Sequence, residues 1–232
     1  MEIDGRKIID AVVTIHNMFQ VATWYGVLHL LYIDKFDYTL WQDDGDFRYT
    51  VYIAQTEQAL DIVLCLLRWT QNSPAAVIPQ ILSRLFIVWI VFPLVPAAVG
   101  EGGWNTWLTK LPVINVCVVC WAVTEVVRYS FYTMGKDLTF LKHLRYNLFL
   151  VLYPLGVTCE LLSIAHSCFH VKYDFAPESK PMTTVMPNSV NFTFKYEWAI
   201  YFCLVIYGSE FPKLFGHMLR QRAKIYADKS KQ

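Results

Sequence analysis

The sequence predicts an all-α, polytopic membrane protein: a bundle of six transmembrane helices with an internal pocket open to the cytosol. Two observations lead to this fold class. The 232 residues are 55% hydrophobic and only 17% charged, which is less charge than an average soluble domain carries. The apolar residues also occur in long runs of about 20 residues, the length that crosses a bilayer. The net charge of +1 gives no indication of nucleic-acid binding.

Six apolar runs along the chain are the predicted spans, and together they form one domain, residues 1–232. The runs cover about residues 11–33, 50–69, 74–99, 113–134, 144–169 and 196–219. The second run is the weakest, because four polar residues interrupt it: Gln55, Glu57, Gln58 and Asp61. Polar connections separate the runs, and no internal repeat or second domain is apparent.

The basic residues predict the orientation of the bundle. Six spans place both termini on the same side of the membrane. The loops and helix ends on that side carry more Lys and Arg than those on the opposite side. Positive charge accumulates on the cytosolic side of membrane proteins. We therefore expect both termini in the cytosol.

Among the charged side chains inside the predicted spans, five on four different spans stand out by their depth. They are Asp61, Arg84, Glu125, Arg128 and Glu160. With a rise of about 1.5 Å per residue, four of them lie within roughly 15 Å of the cytosolic ends of their spans, and Glu160 lies roughly 23 Å from the cytosolic end of its span. An isolated charge is costly there, but three acidic and two basic groups nearly neutralise one another. This placement predicts the polar pocket inside the bundle.

Some of these charges have a purely structural interpretation. Glu125 and Arg128 are three residues apart and could pair on one helix. Arg84 could pair with Asp61 and so fasten the third span to the second. Both interpretations stand beside a functional one.

Glu160 is the hardest of the five charges to explain as structure. It is the deepest, and no basic residue lies within one turn of it on its own helix. Tyr153 precedes it by seven residues, about two helical turns, so both side chains project from one face. A buried carboxyl group and a phenol suit proton removal at one carbon and proton delivery to a leaving group. With an aliphatic substrate entering from the bilayer, an elimination or isomerisation of a lipid fits.

Other chemistries lack the residues that they need. We find no glycine-rich phosphate loop, no nucleophile elbow and no metal-ligand cluster. Cys117 and Cys120 have CxxC spacing, but no second pair or nearby His accompanies them. We therefore predict neither a metal nor a cofactor.

Several segments carry a resemblance to a known family. They are residues 80–84 (QILSR) with Trp89, 121–133 (WAVTEVVRYSFYT), 145–147 (RYN), 152–162 (LYPLGVTCELL) and 215–222 (FGHMLRQR). Together they resemble the very-long-chain (3R)-3-hydroxyacyl-CoA dehydratases, also called the protein tyrosine phosphatase-like A family. The resemblance covers the chain from about residue 17 to 222.

The resemblance implies an enzyme of the endoplasmic reticulum membrane with six spans and cytosolic termini. Its reaction would be the third step of microsomal fatty-acid elongation, the dehydration of a long-chain 3-hydroxyacyl-CoA to the trans-2-enoyl-CoA. The catalytic Tyr and Glu of the family map onto Tyr153 and Glu160. Implied partners are the lipid bilayer, the elongase, the ketoacyl-CoA reductase and the enoyl-CoA reductase.

We expect further residues around the catalytic pair. The substrate-binding or orienting candidates are Arg128, Asn147, Glu125, Arg84, Asp61 and Tyr146, of which Arg128 and Asn147 are candidates to bind the thioester oxygen. The candidates for the CoA phosphates are Lys136, Lys142 and Arg145, although these could equally be ordinary cytosolic positive charges. The preferred assignment has Glu160 as the ionised base and Tyr153 as the proton donor. The reverse, with Glu160 as the protonated acid, stays open.

The chain departs from the family pattern at three positions. His16 stands where a Tyr is expected, Asp61 where Glu is usual and Leu64 where His is usual. Two rival functions also remain: a non-catalytic membrane scaffold for elongation or signalling partners, and a small transporter or channel. No Cys-x5-Arg phosphatase loop is present, and transporters often have repeated halves, which are absent.

Overall fold

The computed structural model of the protein describes residues 5–35, 40–95, 113–134, 138–176, 179–189 and 191–229. Within these ranges the regular structure is helical, apart from one antiparallel bridge between Thr184 and Phe194. The all-α class predicted from the sequence is therefore confirmed for the described residues.

Eight α-helices follow one another in the described chain. They are α1 (Gly5–Ile33), α2 (Leu40–Asp43), α3 (Gly45–Glu57), α4 (Leu60–Leu66), α5 (Pro74–Phe86), α6 (Val113–Met134), α7 (Thr139–Tyr173) and α8 (Tyr196–Lys229). Helix α5 continues through a π-helical segment, Ile87–Val91, and a 3-10 turn, Phe92–Leu94.

Three helical segments of the described chain are long and apolar enough to cross a membrane. They are Pro74–Leu94, Val113–Met134 and Thr139–Tyr173. These segments characterise a membrane-bound protein. The count of six spans stays a prediction.

The other predicted spans are more polar or shorter. Helices α1 and α8 contain 29 and 34 residues, but each carries polar side chains along its length. In α1 these include His16, Asn17 and Gln20, all of which are buried. Buried polar groups of this kind lower the mean hydropathy of a helix while serving contacts inside the protein.

The second predicted span is not one helix. The chain turns at Gln58 and Ala59, between α3 and α4. The turn lies among the polar residues that weaken the second apolar run. Gln20 of α1 reaches this region and donates from Nε2 to the backbone oxygen of Ala54 at 3.3 Å. The Ala54 oxygen also keeps its helical bond to the Gln58 N–H at 3.2 Å, and at the turn the Ala59 N–H bonds instead to the oxygen three residues earlier, that of Thr56.

Helix α6 is the centre of the fold and packs most extensively against α7 and α1. The predicted span, residues 113–134, is helical throughout. The third predicted run extends to residue 99, and residues 96–99 lie outside the described ranges. At the core, the ring of Phe92 stacks on Trp121 of α6 with centroids 5.7 Å apart. Large buried aromatic rings contribute strongly to such cores.

Candidate active site

A cavity of about 430 Å³ lies between α5, α6, α7 and α8. Tyr153 and Glu160 of α7 both line it, in agreement with the expectation that a spacing of two helical turns puts them on one face. Gly156, between them, approaches α6 closely: a Cβ atom there would lie 3.5 Å from the Cβ of Cys120. At Gly156 this stretch of α7 therefore packs closely against α6.

Glu160 is buried, with 5% of its surface exposed, and both of its carboxylate oxygens accept hydrogen bonds. The indole Nε1 of Trp121 on α6 donates to Oε1 at 2.8 Å. The hydroxyl of Tyr207 on α8 donates to Oε2 at 2.5 Å. Bonds to an ionised carboxylate are short and strong. The two donors, from two different helices, compensate the burial of this group.

Tyr153 is half-buried, and its ring belongs to an aromatic stack on the α8 side of the cavity. The ring lies nearly parallel to Phe211, with centroids 5.2 Å apart, and to Phe215, with centroids 6.0 Å apart. Its hydroxyl has no hydrogen-bond partner among the described residues. The stacking holds the ring in place without engaging the hydroxyl.

A chain of buried ion pairs forms one side of the site. Arg84 donates from Nη1 to Oε1 of Glu125, which is fully buried. Arg128 Nε lies 2.7 Å from the other oxygen of Glu125. Arg128 also donates from Nη2 to Oδ2 of Asp61 at 3.0 Å. Basic and acidic groups alternate along this series of ion pairs, so each buried charge has a neighbour of opposite charge.

The two structural interpretations of these charges have different outcomes. The pairing of Glu125 with Arg128 on one helix is confirmed. The pairing of Arg84 with Asp61 is wrong. Arg84 turns toward α6, where its guanidinium also lies 5.3 Å from the ring centroid of Trp121. Asp61 is occupied by Arg128 and by residues of α1 and α6.

Asp61 is also the partner of His16, so two of the three departures from the family pattern meet. His16 Nε2 lies 2.8 Å from Oδ1 of Asp61, and His16 Nδ1 lies 2.8 Å from Oε1 of Glu57. The hydroxyl of Tyr129 donates to Oδ2 of Asp61 at 2.7 Å. The imidazole therefore joins α1 to both helices that flank the interruption in the second span.

The remaining predicted site residues fall into three groups. Arg84, Glu125, Arg128, Arg145 and Tyr146 line the cavity, whereas Asp61, Lys142 and Asn147 are not among its lining residues in the described chain. Lys136 lies outside the described residues. Arg145 donates to the Tyr132 hydroxyl at 2.9 Å, and its guanidinium lies 4.6 Å from that ring centroid. This charge is fixed at the wall of the cavity.

Asn147 instead joins α7 to α8. It donates from Nδ2 to the hydroxyl of Tyr226 at 2.7 Å and accepts from Nη2 of Arg222 at 2.9 Å. These bonds use the donor and acceptor of the amide within the protein.

Sequence reasoning missed two residues that contact Glu160. Tyr207 lies in the sixth apolar run, where a tyrosine has no local signature. Trp121 belongs to the motif that carries the family resemblance, but nothing in its spacing indicates a bond to a residue 39 positions later. Both contacts depend on how helices rotate against one another.

Fold and site together define a helical membrane protein with a carboxyl group and a phenol facing one cavity. A family model described as "Protein tyrosine phosphatase-like protein, PTPLA" matches residues 55–228. The chain belongs to this family, and the resemblance noted in the sequence is confirmed.

Three relatives show how far the similarity extends along the chain. Very-long-chain (3R)-3-hydroxyacyl-CoA dehydratase 1 of Mus musculus is 34% identical over 179 residues, which is 76% of this chain and 58% of the relative. The dehydratase hpo-8 of Caenorhabditis elegans is 30% identical over 222 residues, 94% of this chain and 95% of the relative. The dehydratase PASTICCINO 2 of Arabidopsis thaliana is 31% identical over 216 residues, which is 91% of this chain and 90% of the relative.

The chain thus spans nearly all of the nematode and plant relatives but less than two thirds of the mouse one. No solved structure gives a significant match.

Proposed function

We propose that this protein removes water from long-chain and very-long-chain 3-hydroxyacyl-CoA to give trans-2-enoyl-CoA, the reaction of a hydro-lyase. The observation that carries the proposal is that Tyr153 and Glu160 line one cavity, with Glu160 held by two hydrogen-bond donors. The names of the relatives support the substrate class, since they are called very-long-chain (3R)-3-hydroxyacyl-CoA dehydratases.

In the proposed reaction, Glu160 is the base and Tyr153 is the acid. Glu160 takes the proton from C2, and that electron pair forms the C2–C3 double bond. The C3–O bond breaks as Tyr153 gives its proton to the departing hydroxyl, which leaves as water. A proton passed from the Glu160 carboxyl to the Tyr153 phenolate restores both groups. General acid–base catalysis of this kind contributes about 10²- to 10⁴-fold.

Arg128 supports the same reaction at the thioester. The carbonyl oxygen gains negative charge while C2 loses its proton, and a positive group aimed at that oxygen stabilises the transition state. Arg128 lines the cavity and is anchored by Asp61 and Glu125. Arg145, also on the cavity wall, suits the CoA phosphates.

We also propose a single six-span domain in the endoplasmic reticulum membrane, with cytosolic termini and a cavity open to the cytosol. The six runs correspond to α1, to α3 with α4, and to α5, α6, α7 and α8. Cavity residues such as Asn72, Arg145 and Gln221 lie near helix ends that this orientation places in the cytosol.

In that setting the enzyme carries out the third step of fatty-acid elongation. It takes its substrate from the ketoacyl-CoA reductase and passes its product to the enoyl-CoA reductase, in the company of the elongase. The chemistry supports this order, since a 3-hydroxyacyl thioester comes from reduction of a 3-ketoacyl one.

Turnover by the purified protein tests the proposal. With a long-chain 3-hydroxyacyl-CoA as substrate, we expect enoyl-CoA formation that falls at least about 100-fold in Tyr153→Phe and in Glu160→Gln. Tyr173→Phe is the matched control, because Tyr173 is on the same helix and 65% exposed. A non-catalytic scaffold gives no turnover in any of the four proteins. Near-normal turnover in either site variant contradicts the assignment of that residue.

A further inference from the structure

The bond between Tyr207 and Glu160 goes beyond the pair of residues in the proposed mechanism. Tyr207 lies on α8, lines the cavity and donates its hydroxyl to Oε2 of Glu160 at 2.5 Å. This distance is typical of a hydroxyl bonded to an ionised carboxylate. The contact connects the carboxylate of α7 to a helix 47 residues further along the chain.

Trp121 completes the environment of the carboxylate. An indole N–H is only a donor, so Oε1 of Glu160 must accept from it. The other oxygen, Oε2, accepts from the Tyr207 hydroxyl, so each carboxylate oxygen has one donor. The two donors together favour the ionised form. Each carboxylate oxygen has two acceptor positions, so positions remain for a proton arriving from the substrate.

The other groups near Glu160 do not replace these donors. Cys117, Cys120 and Cys159 are buried free thiols, which are only weak donors. Arg84 is engaged by Glu125. Tyr153 stacks on the aromatic rings of α8 and has no hydrogen bond to Glu160.

We infer that Tyr207 is a positioning residue for Glu160: with Trp121, it holds the carboxylate ionised and directed into the cavity. Without the Tyr207 hydroxyl, burial favours the neutral carboxyl group, which cannot take a proton from C2. The catalytic part of this inference rests on the proposed function, whereas the hydrogen bond itself does not.

The kinetic test compares Tyr207→Phe with Tyr201→Phe. Tyr201 is on the same helix but 60% exposed, so its variant controls for the loss of a phenol from α8. Loss of one hydrogen bond to a charged group predicts a fall in kcat of about 10- to 100-fold for Tyr207→Phe. KM stays nearly unchanged, because the bond does not involve the substrate. An unchanged kcat overturns the inference.

An infrared measurement separates positioning from a general structural role and needs no substrate. The difference spectrum between the wild-type protein and Glu160→Gln isolates the bands of Glu160. At neutral pH the wild type must show an ionised carboxylate, and a protonated carboxyl band in its place overturns the inference without any Tyr207 variant. In Tyr207→Phe the carboxylate band must move, while in Tyr201→Phe it must not.

The two failures can be told apart. A wild-type protein that does not turn over the substrate contradicts the proposed function, and the infrared bands still decide whether Tyr207 holds an ionised Glu160. A fall in kcat with an unmoved carboxylate band means that Tyr207 acts only on stability, which contradicts the positioning role.

Discussion

Glu125 offers the sharpest test of how this protein accommodates charge within its core. The carboxylate is fully buried and holds two guanidinium groups, those of Arg84 and Arg128, whose side chains are 8% and 16% exposed. Glu125→Gln keeps the size of the side chain and removes its charge. Arg128 retains Asp61, but Arg84 has no other carboxylate partner among the described residues.

The expected cost follows from this asymmetry. Leaving one member of a buried ion pair without its partner costs about 3–5 kcal/mol of unfolding free energy. The exposed pair between Lys213 and Glu210 is the control. The Lys213 side chain is 69% exposed, and such a surface pair contributes roughly 0–1 kcal/mol. Lys213→Met should therefore change stability far less than Glu125→Gln.

Equilibrium unfolding in mixed detergent micelles, followed by tryptophan fluorescence, gives both values. A double variant adds a second requirement. Arg84→Met combined with Glu125→Leu removes the pair as a whole and replaces it with apolar groups, a change that is often neutral. It should be more stable than Glu125→Gln alone. A loss below about 1 kcal/mol in Glu125→Gln, no greater than for the surface pair, refutes the reasoning.

Two further predictions concern contacts between helices. His16→Asn leaves an amide that cannot bridge Glu57 and Asp61 as the imidazole does; we expect a loss of about 1–3 kcal/mol in the same unfolding assay, and an unchanged midpoint contradicts it. At Gly156 an added Cβ makes an ordinary contact with Cys120, so Gly156→Ala should fold with a melting temperature close to wild type. Gly156→Leu overpacks the α6–α7 contact and should lose about 1–3 kcal/mol, and equal melting temperatures for the two variants are the contrary result.

Hydrophobic runs predict the fold class and the position of the long helices because both depend on local composition. Residues 113–134 are helical throughout. The runs at 144–169 and 196–219 are shorter than α7 and α8, because a helix can continue beyond the apolar part that the bilayer requires. The local sequence indicates the interruption at Gln58 and Ala59 only weakly, because side chains from α1 also contribute to it.

The partners of the buried charges show where sequence reasoning ends. The pair Glu125–Arg128 follows from a spacing of three residues within one helix. The partner of Arg84 does not, because several helices offer a carboxylate at similar depth and only their rotation decides between them. No partner was predicted for His16 for the same reason. In the structure it contacts Asp61, which is another position where the chain departs from the family pattern.

Tyr207 makes the same point for the catalytic chemistry. Hydropathy treats α8 as one more apolar span, and a tyrosine within it is unremarkable. In the structure one side of α8 carries Tyr207, Phe211 and Leu214 along the cavity. Phe211 supports the ring of Tyr153, and Tyr207 bonds to Glu160. Both members of the proposed catalytic pair, which belong to α7, therefore depend on α8 for their orientation. A substitution on this side of α8 can disable the site while the hydropathy of the span stays the same.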